Sequence, residues 1–187
     1  MKIILVVILI VYSLVALGQK GTPELPFVDG KIMYTGVVDV DSTKTKSELY
    51  SSVREWFAKT YNSSTKVIQM DDKENGKIIG KALFQVYHKA MKKDHPSGYI
   101  NYTISVFVKD GKYKYEVTNF YHTGNGGNIS DFGDCENMIN TKMKTMGVSY
   151  QKTFDYYLWQ MDDYVKNIIT DLKSNIMTTT KVQEDNW

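Results

Sequence analysis

The sequence predicts an α+β fold, an antiparallel five-stranded sheet in the order strand–helix–four strands–helix with both helices on one face. Three observations carry this prediction. Two segments repeat apolar residues at helical spacing: Leu49, Val53, Trp56, Phe57 and Thr60 in one, and Phe154, Leu158, Met161, Val165, Ile168, Leu172 and Ile176 in the other. Several segments between them alternate with period two, as do Ile100, Tyr102, Ile104, Val106 and Val108. The pairs Asn75-Gly76 and Asp110-Gly111 interrupt these runs where tight hairpin turns belong, so successive strands run antiparallel.

The elements follow in chain order. Residues 1–18 open with Lys2, continue as an apolar run over 3–17 and end on the small residues Ala16 and Gly18. That is the pattern of a signal peptide, with cleavage expected between Gly18 and Gln19 and a secreted or periplasmic product. The run is shorter than the ~20 residues a spanning helix needs, so no transmembrane span is expected in the mature chain. Residues 19–31, with Pro23 and Pro26, read as an extended lead-in, and 32–40 as the first strand. Thr45 and Glu48 form a capping box that starts the first helix. Strands are predicted over 65–70, 77–88, 99–109 and 112–122, with 89–98 a loop because of its polarity, Pro96 and Gly98. Residues 123–150 lack periodicity and read as an insertion; 151–176 form the closing helix and 177–187 a frayed polar tail. One domain, 32–176, is expected.

Composition narrows the function. Lys and Arg number 23 against 21 Asp and Glu, with no basic run. A phosphate-backbone binder concentrates positive charge on one face, so nucleic acid is not an expected partner. A single cysteine and three histidines without ligand spacing point to no metal and no cofactor. The stretch TGNGGNISDFGDCENM, residues 123–138, concentrates glycine, acids and Cys135. It lacks the Gly-Lys-Ser/Thr of a phosphate loop, and Ile129 stands where a dinucleotide fingerprint needs glycine. Asn128, Asp131, Asp134 and Glu136 miss EF-hand spacing and read as solvated loop acids, with a calcium site the alternative. Cys135 lies between Asp134 and Glu136, which discourages a reactive thiolate, although His122 could approach it as a base. Asp162 and Asp163 diverge by about 100° on a helix and read as its solvated side. No catalytic residue is assigned.

The sheet surface away from the helices should present Ile79, Leu83, Tyr87, Phe107 and Phe120 among polar residues. So many large apolar groups on one face call for a cover or a ligand. The insertion, through residues such as Phe132, is one cover; a partner is the other. Leu83, Tyr87, Phe107, Phe120 and Phe132 are therefore the candidate binding residues. The expected occupant is a protein or a small apolar or sugar-like ligand, with a homodimer as a further arrangement.

Two motifs and a third segment carry a family resemblance. They are Lys46-Ser47-Glu48-Leu49-Tyr50 leading to Trp56-Phe57-Ala58-Lys59, the charged hairpin from Val108 to Tyr115, and Gly76-Lys77-Ile78-Ile79-Gly80-Lys81. Over about residues 32–122, with the closing helix beyond, the chain resembles a bacterial family of secreted domains of unknown function with a TATA-binding-protein-like (TBP-like) fold. The resemblance implies that fold and an envelope or secreted location. It carries no assigned activity, and the fold name brings no DNA binding with it. The leading expectation is a non-catalytic binding module; the alternatives are a small extracytoplasmic, hydrolase-like enzyme built on His122 and Cys135, and a structural envelope component.

Overall fold

The computed structural model describes residues 21–90, 93–126, 131–142, 145 and 147–182; the expected signal peptide and the last residues of the tail lie outside them. Asp29 and Gly30 both have positive φ, 50° and 76°, as a two-residue hairpin requires. They join β1 (Phe27–Val28) to β2 (Lys31–Ile32). β3 (Tyr34–Asp39) follows directly, so the predicted 32–40 strand is split between two sheets.

The capping box at Thr45 and Glu48 is formed and starts α1 (Lys46–Thr60), which buries Leu49, Val53, Trp56 and Phe57. The predicted 65–70 strand begins instead as one helical turn, α2 (Ser64–Val67), whose Lys66 and Val67 amides donate to the Ser63 carbonyl. β4 is correspondingly late and short (Ile68–Asp72), pairing only with residues from Lys77 to Gly80 of β5 (Lys77–Ala90).

The predicted loop at 89–98 is largely strand. β6 (Lys93–Lys109) starts early, and His88, Lys89 and Ala90 pair with His95, Asp94 and Lys93. Pro96 lies at a register irregularity opposite Tyr87, where a residue without an N–H disturbs the ladder least. β7 (Lys112–Thr123) completes an antiparallel sheet in the order β3-β7-β6-β5-β4. The five expected strands are present. A two-residue β8 (Gly133–Asp134) adds to β7 at Tyr121 and His122. After it come α3 (Cys135–Asn137), a π-helical turn (Met138–Lys142) and α4 (Val148–Val182), which exceeds the predicted helix at both ends.

Both long helices lie on one side of the sheet. Ile100, Ile104, Val106, Val117 and Phe120 from the strands and Phe154, Leu158, Val165 and Leu172 from α4 are fully or almost fully buried. Polar bonds fasten the layers. The Trp56 indole N–H donates to Asp171 at 2.8 Å, joining the helices, and the Tyr34 hydroxyl donates to Asp162 at 2.9 Å. Asp162 is only 2% exposed and also accepts from Lys166, so it belongs to the core side of α4 and not to the solvated side expected for it. Asp163, one position on, is exposed. No described helix is long and apolar enough to cross a membrane.

Candidate binding face

Strand alternation sends every second side chain away from the helices. On β5 this set includes Ile79, Lys81, Leu83 and Gln85; on β6 it includes Asn101, Thr103, Ser105 and Phe107. Leu83 is 54% exposed, Phe107 is half-buried, and Tyr87 points the same way with its hydroxyl donating to Gln85. The Tyr87 backbone is held from the edge: its N–H donates to Gln160 Oε1 at 3.0 Å and its C=O accepts from Gln160 Nε2 at 2.8 Å. One amide of α4 thus stands in for a neighbouring strand. Val37, 62% exposed and opposite Lys114 in the ladder, joins this face although it was not among the residues expected there. Its position follows from pairing β3 with β7, a long-range register that local alternation does not reveal.

Two expected members are elsewhere. Phe120 is fully buried and meets Tyr34 edge-on at 5.9 Å. The cause is a bulge: β7 advances from Thr118 to Tyr121 while β6 steps only from Thr103 to Asn101, and Asn119 has φ 58°. The extra residue reverses the alternation, turning Phe120 inward and Tyr121, 45% exposed, outward. Phe132 packs on the helix side, against His122, Phe154 and Tyr157 at 5.2–5.8 Å between ring centres. The described part of the insertion therefore extends the β7 edge and fills the core, with Cys135 and Met138 buried, and leaves the outer face uncovered.

His122 and Cys135 are structural groups. His122 Nε2 donates to the Ser97 carbonyl at 3.2 Å and Nδ1 accepts from the Phe132 N–H at 3.2 Å, which fixes a neutral ring. Burial holds its pKa below the ordinary value. Cys135 has no exposure, and burial, with Glu136 and Asp134 adding to it, pushes its thiol far up. Thiolate character, on which nucleophilicity depends, is thereby suppressed. Ser97 does hydrogen-bond His88 Nδ1, at 3.1 Å, but it is 1% exposed and is also bound to the Tyr157 hydroxyl, so the chain of bonds pins the β5–β6 hairpin to α4. The loop acids have separate tasks. Asp131 accepts from the Gly124 N–H, Asp134 caps α3, and buried Glu136 accepts from the Ile32 N–H. Among the described residues no group of three or more His, Cys, Asp or Glu is placed to hold a metal ion; Asn128 lies outside them.

What the face offers is an apolar floor with a cationic fringe. Val37 and Phe107 line a cleft of about 420 Å³ together with Lys109, Lys112 and Lys114 at the β6–β7 turn. Lys77 Nζ stands 5.4 Å from the Phe107 ring centre, a cation–π contact, and Lys114 pairs with Glu116 at 2.6 Å. A second, larger groove of about 760 Å³ is lined by the Tyr61–Val67 segment and Lys81–Leu83 of β5, with Asn101–Thr103 of β6, Asn119 of β7 and Tyr164 of α4.

Comparison with known proteins places this arrangement. Residues 34–123 match the family model described as "Domain of unknown function (DUF4468) with TBP-like fold". A crystal structure of a DUF4468 family protein from Bacteroides ovatus superposes with a TM-score of 0.61 at 18% identity, covering 81% of this chain and 90% of that one. A TBP-like protein from Parabacteroides distasonis gives 0.57 at 15% identity, covering 80% and 97%. At these identities the likeness is one of fold. No curated protein matches the chain. The matched span begins at the first residue of β3 and ends at the last of β7, so it contains α1 and five of the six strands of the sheet, with β8 beyond it. The domain at residues 34–123 belongs to the DUF4468 family with TBP-like fold.

Proposed function

We propose that the chain is a secreted or periplasmic, non-catalytic binding module whose outer sheet face receives a ligand with an apolar body and an anionic group. The extracytoplasmic location rests on the charged, apolar and small-residue pattern of residues 1–18. The observation that carries the binding reading is the bare outer face: α1, α4 and the described part of the insertion all pack on the opposite side, while Val37 and Leu83 stay more than half exposed. The cleft between Val37 and Phe107 falls within the ~300–1,000 Å³ typical of small-ligand sites. Its lysines select for negative charge, and its floor selects for an apolar or aromatic body.

Titration with the fluorescent probe 1-anilinonaphthalene-8-sulfonate tests this. The native protein should bind it saturably. Val37→Asp puts a carboxylate into the floor at a solvent-exposed position and should weaken binding at least tenfold while leaving the circular dichroism spectrum and Tm unchanged. Equal binding by the variant, or no saturable binding at all, sinks the proposal.

A further inference from the structure

A second surface carries an interaction of a different kind. β4 pairs with β5 only as far as Gly80, and the chain before Ile68 turns away into α2. From Lys81 onward β5 has no strand on the side away from β6 among the described residues. The next backbone groups facing that way to find a partner are those of Tyr87, taken by Gln160. In an antiparallel ladder the groups pointing away from the neighbour recur at every second residue. Counting back from Tyr87 along the regular β5 backbone, the N–H and C=O groups of Lys81, Leu83 and Gln85 point out of the sheet. The open edge is thus about five residues long, roughly 17 Å at strand rise.

This edge is one wall of a slot. Tyr61, Ser63 and Lys66, near where β4 would have continued had it not ended at Ile68, line the 760 Å³ groove across from it, and the groove reaches on over Asn101, Thr103 and Asn119. A second copy's β5 would bring its own Tyr61–Val67 segment to the same place, whereas a single extended chain brings none. The charged side chains lining the slot are Lys66 and Lys81, and neither makes an ion pair among the described residues.

We propose that the β5 edge between Lys81 and Gln85 binds an extended peptide by strand addition, with an acidic side chain of the peptide held between Lys66 and Lys81. Main-chain hydrogen bonds supply the attachment and alternate side chains the selectivity, as in other strand-addition complexes. The competing explanation of Lys81 is that it guards an exposed edge against pairing. The two readings predict opposite outcomes in the presence of peptide.

The experiment uses amino-terminally fluorescein-labelled, amidated peptides of sequence Thr-Val-Thr-Glu-Val-Thr-Val, a counterpart with Lys for Glu, and a version N-methylated at alternate amides. Binding is read by fluorescence anisotropy at low salt and by amide hydrogen exchange on the protein. The Glu peptide should bind at least tenfold tighter than the Lys peptide, and N-methylation should abolish binding. Protection should rise at Leu83 and Gln85. The double variant Lys66→Glu/Lys81→Glu, altered at solvent-facing positions, should reverse the charge preference. Val37→Asp should leave peptide binding intact, which separates this site from the hairpin cleft. Absence of binding by the Glu peptide, binding indifferent to N-methylation, or concentration-dependent dimerisation that protects the same amides without peptide each overturns the proposal.

Discussion

Gly80 on β5 is occupied by glycine for space, and Gly80→Ala tests the packing beneath the sheet. Its backbone has no left-handed φ, so an alanine would fit the chain. The added Cβ, however, would lie 2.7 Å from Phe57 Cε1 and 3.1 Å from Val67 Cγ1. Carbon atoms rest about 3.5–4.0 Å apart, so the ring must retreat by about 1 Å. It has little freedom to do so: Phe57 is fully buried, with Trp56 at 5.0 Å and Tyr61 at 5.6 Å between ring centres. Overpacking of this kind costs about 1–3 kcal/mol. Removing glycine from a strand interior recovers roughly 0.5–1 kcal/mol. A net loss of about 1–2 kcal/mol remains, a fall in Tm of roughly 2–8 °C for a chain of this size. Urea unfolding should show a lower midpoint with an unchanged m-value. Phe57→Leu removes the atom in the way, so the double variant should be more stable than the sum of the single changes by about 0.5–3 kcal/mol. A Gly80→Ala protein as stable as the parent, or additive effects in the cycle, would refute this account of the contact.

Three further outcomes are expected. Gln160→Leu leaves the Tyr87 N–H and C=O without partners, which should cost about 1–3 kcal/mol and speed exchange of the Tyr87 amide; unchanged exchange there would remove the strand-substitute role of Gln160. Cys135 should not react with Ellman's reagent in the folded protein and should react fully in denaturant, and rapid labelling without denaturant would revive the His122–Cys135 enzyme reading. Because burial depresses the His122 pKa, the unfolded chain takes up a proton near pH 6.5 before the folded one does. Its contribution to stability is present above that pH and is lost as pH falls toward the folded value, with a slope of at most ~1.4 kcal/mol per pH unit. Glu136, whose pKa is raised by burial, acts in the opposite sense: its contribution declines as pH rises above the ordinary carboxylate range. Unfolding curves between pH 7.5 and 5.5 should therefore flatten in His122→Asn, and an unaltered slope would count against a neutral buried imidazole.

The elements that could be read directly are those specified by neighbours in sequence. Thr45 and Glu48 reveal the start of α1 because the capping box is three residues long. The inward set Tyr113, Tyr115 and Val117 follows from simple alternation. The failures have a common physical origin in single residues whose effect depends on a partner strand or helix. Asn119 reverses the facing of everything after it, and only its tolerance of positive φ hints at the bulge. Pro96 reads as a loop signal but sits harmlessly at a register irregularity. Asp162 reads as solvent-facing until Tyr34, 128 residues away, supplies a donor. The candidate site divides the same way. Leu83, Tyr87 and Phe107 follow from strand period, whereas Val37 and the Lys66–Lys81 slot depend on which strands meet and where β4 stops.

The pairing of β3 with β7 also sets a timetable. β5, β6 and β7 are consecutive hairpins and can assemble as soon as each turn is made. β3 pairs Tyr34 with Val117 and Asp39 with Lys112, so its partner is synthesised 73–83 residues later. Closing so long a loop is entropically slow compared with a hairpin. A chain emerging amino end first therefore carries β3 as a strand without a sheet until residues 112–117 follow. The Tyr34 hydroxyl waits longer still, for Asp162 on the last helix. The first strand is thus fastened in two steps, to β7 and then to the last helix, and a chain cut short before α4 would lack the second.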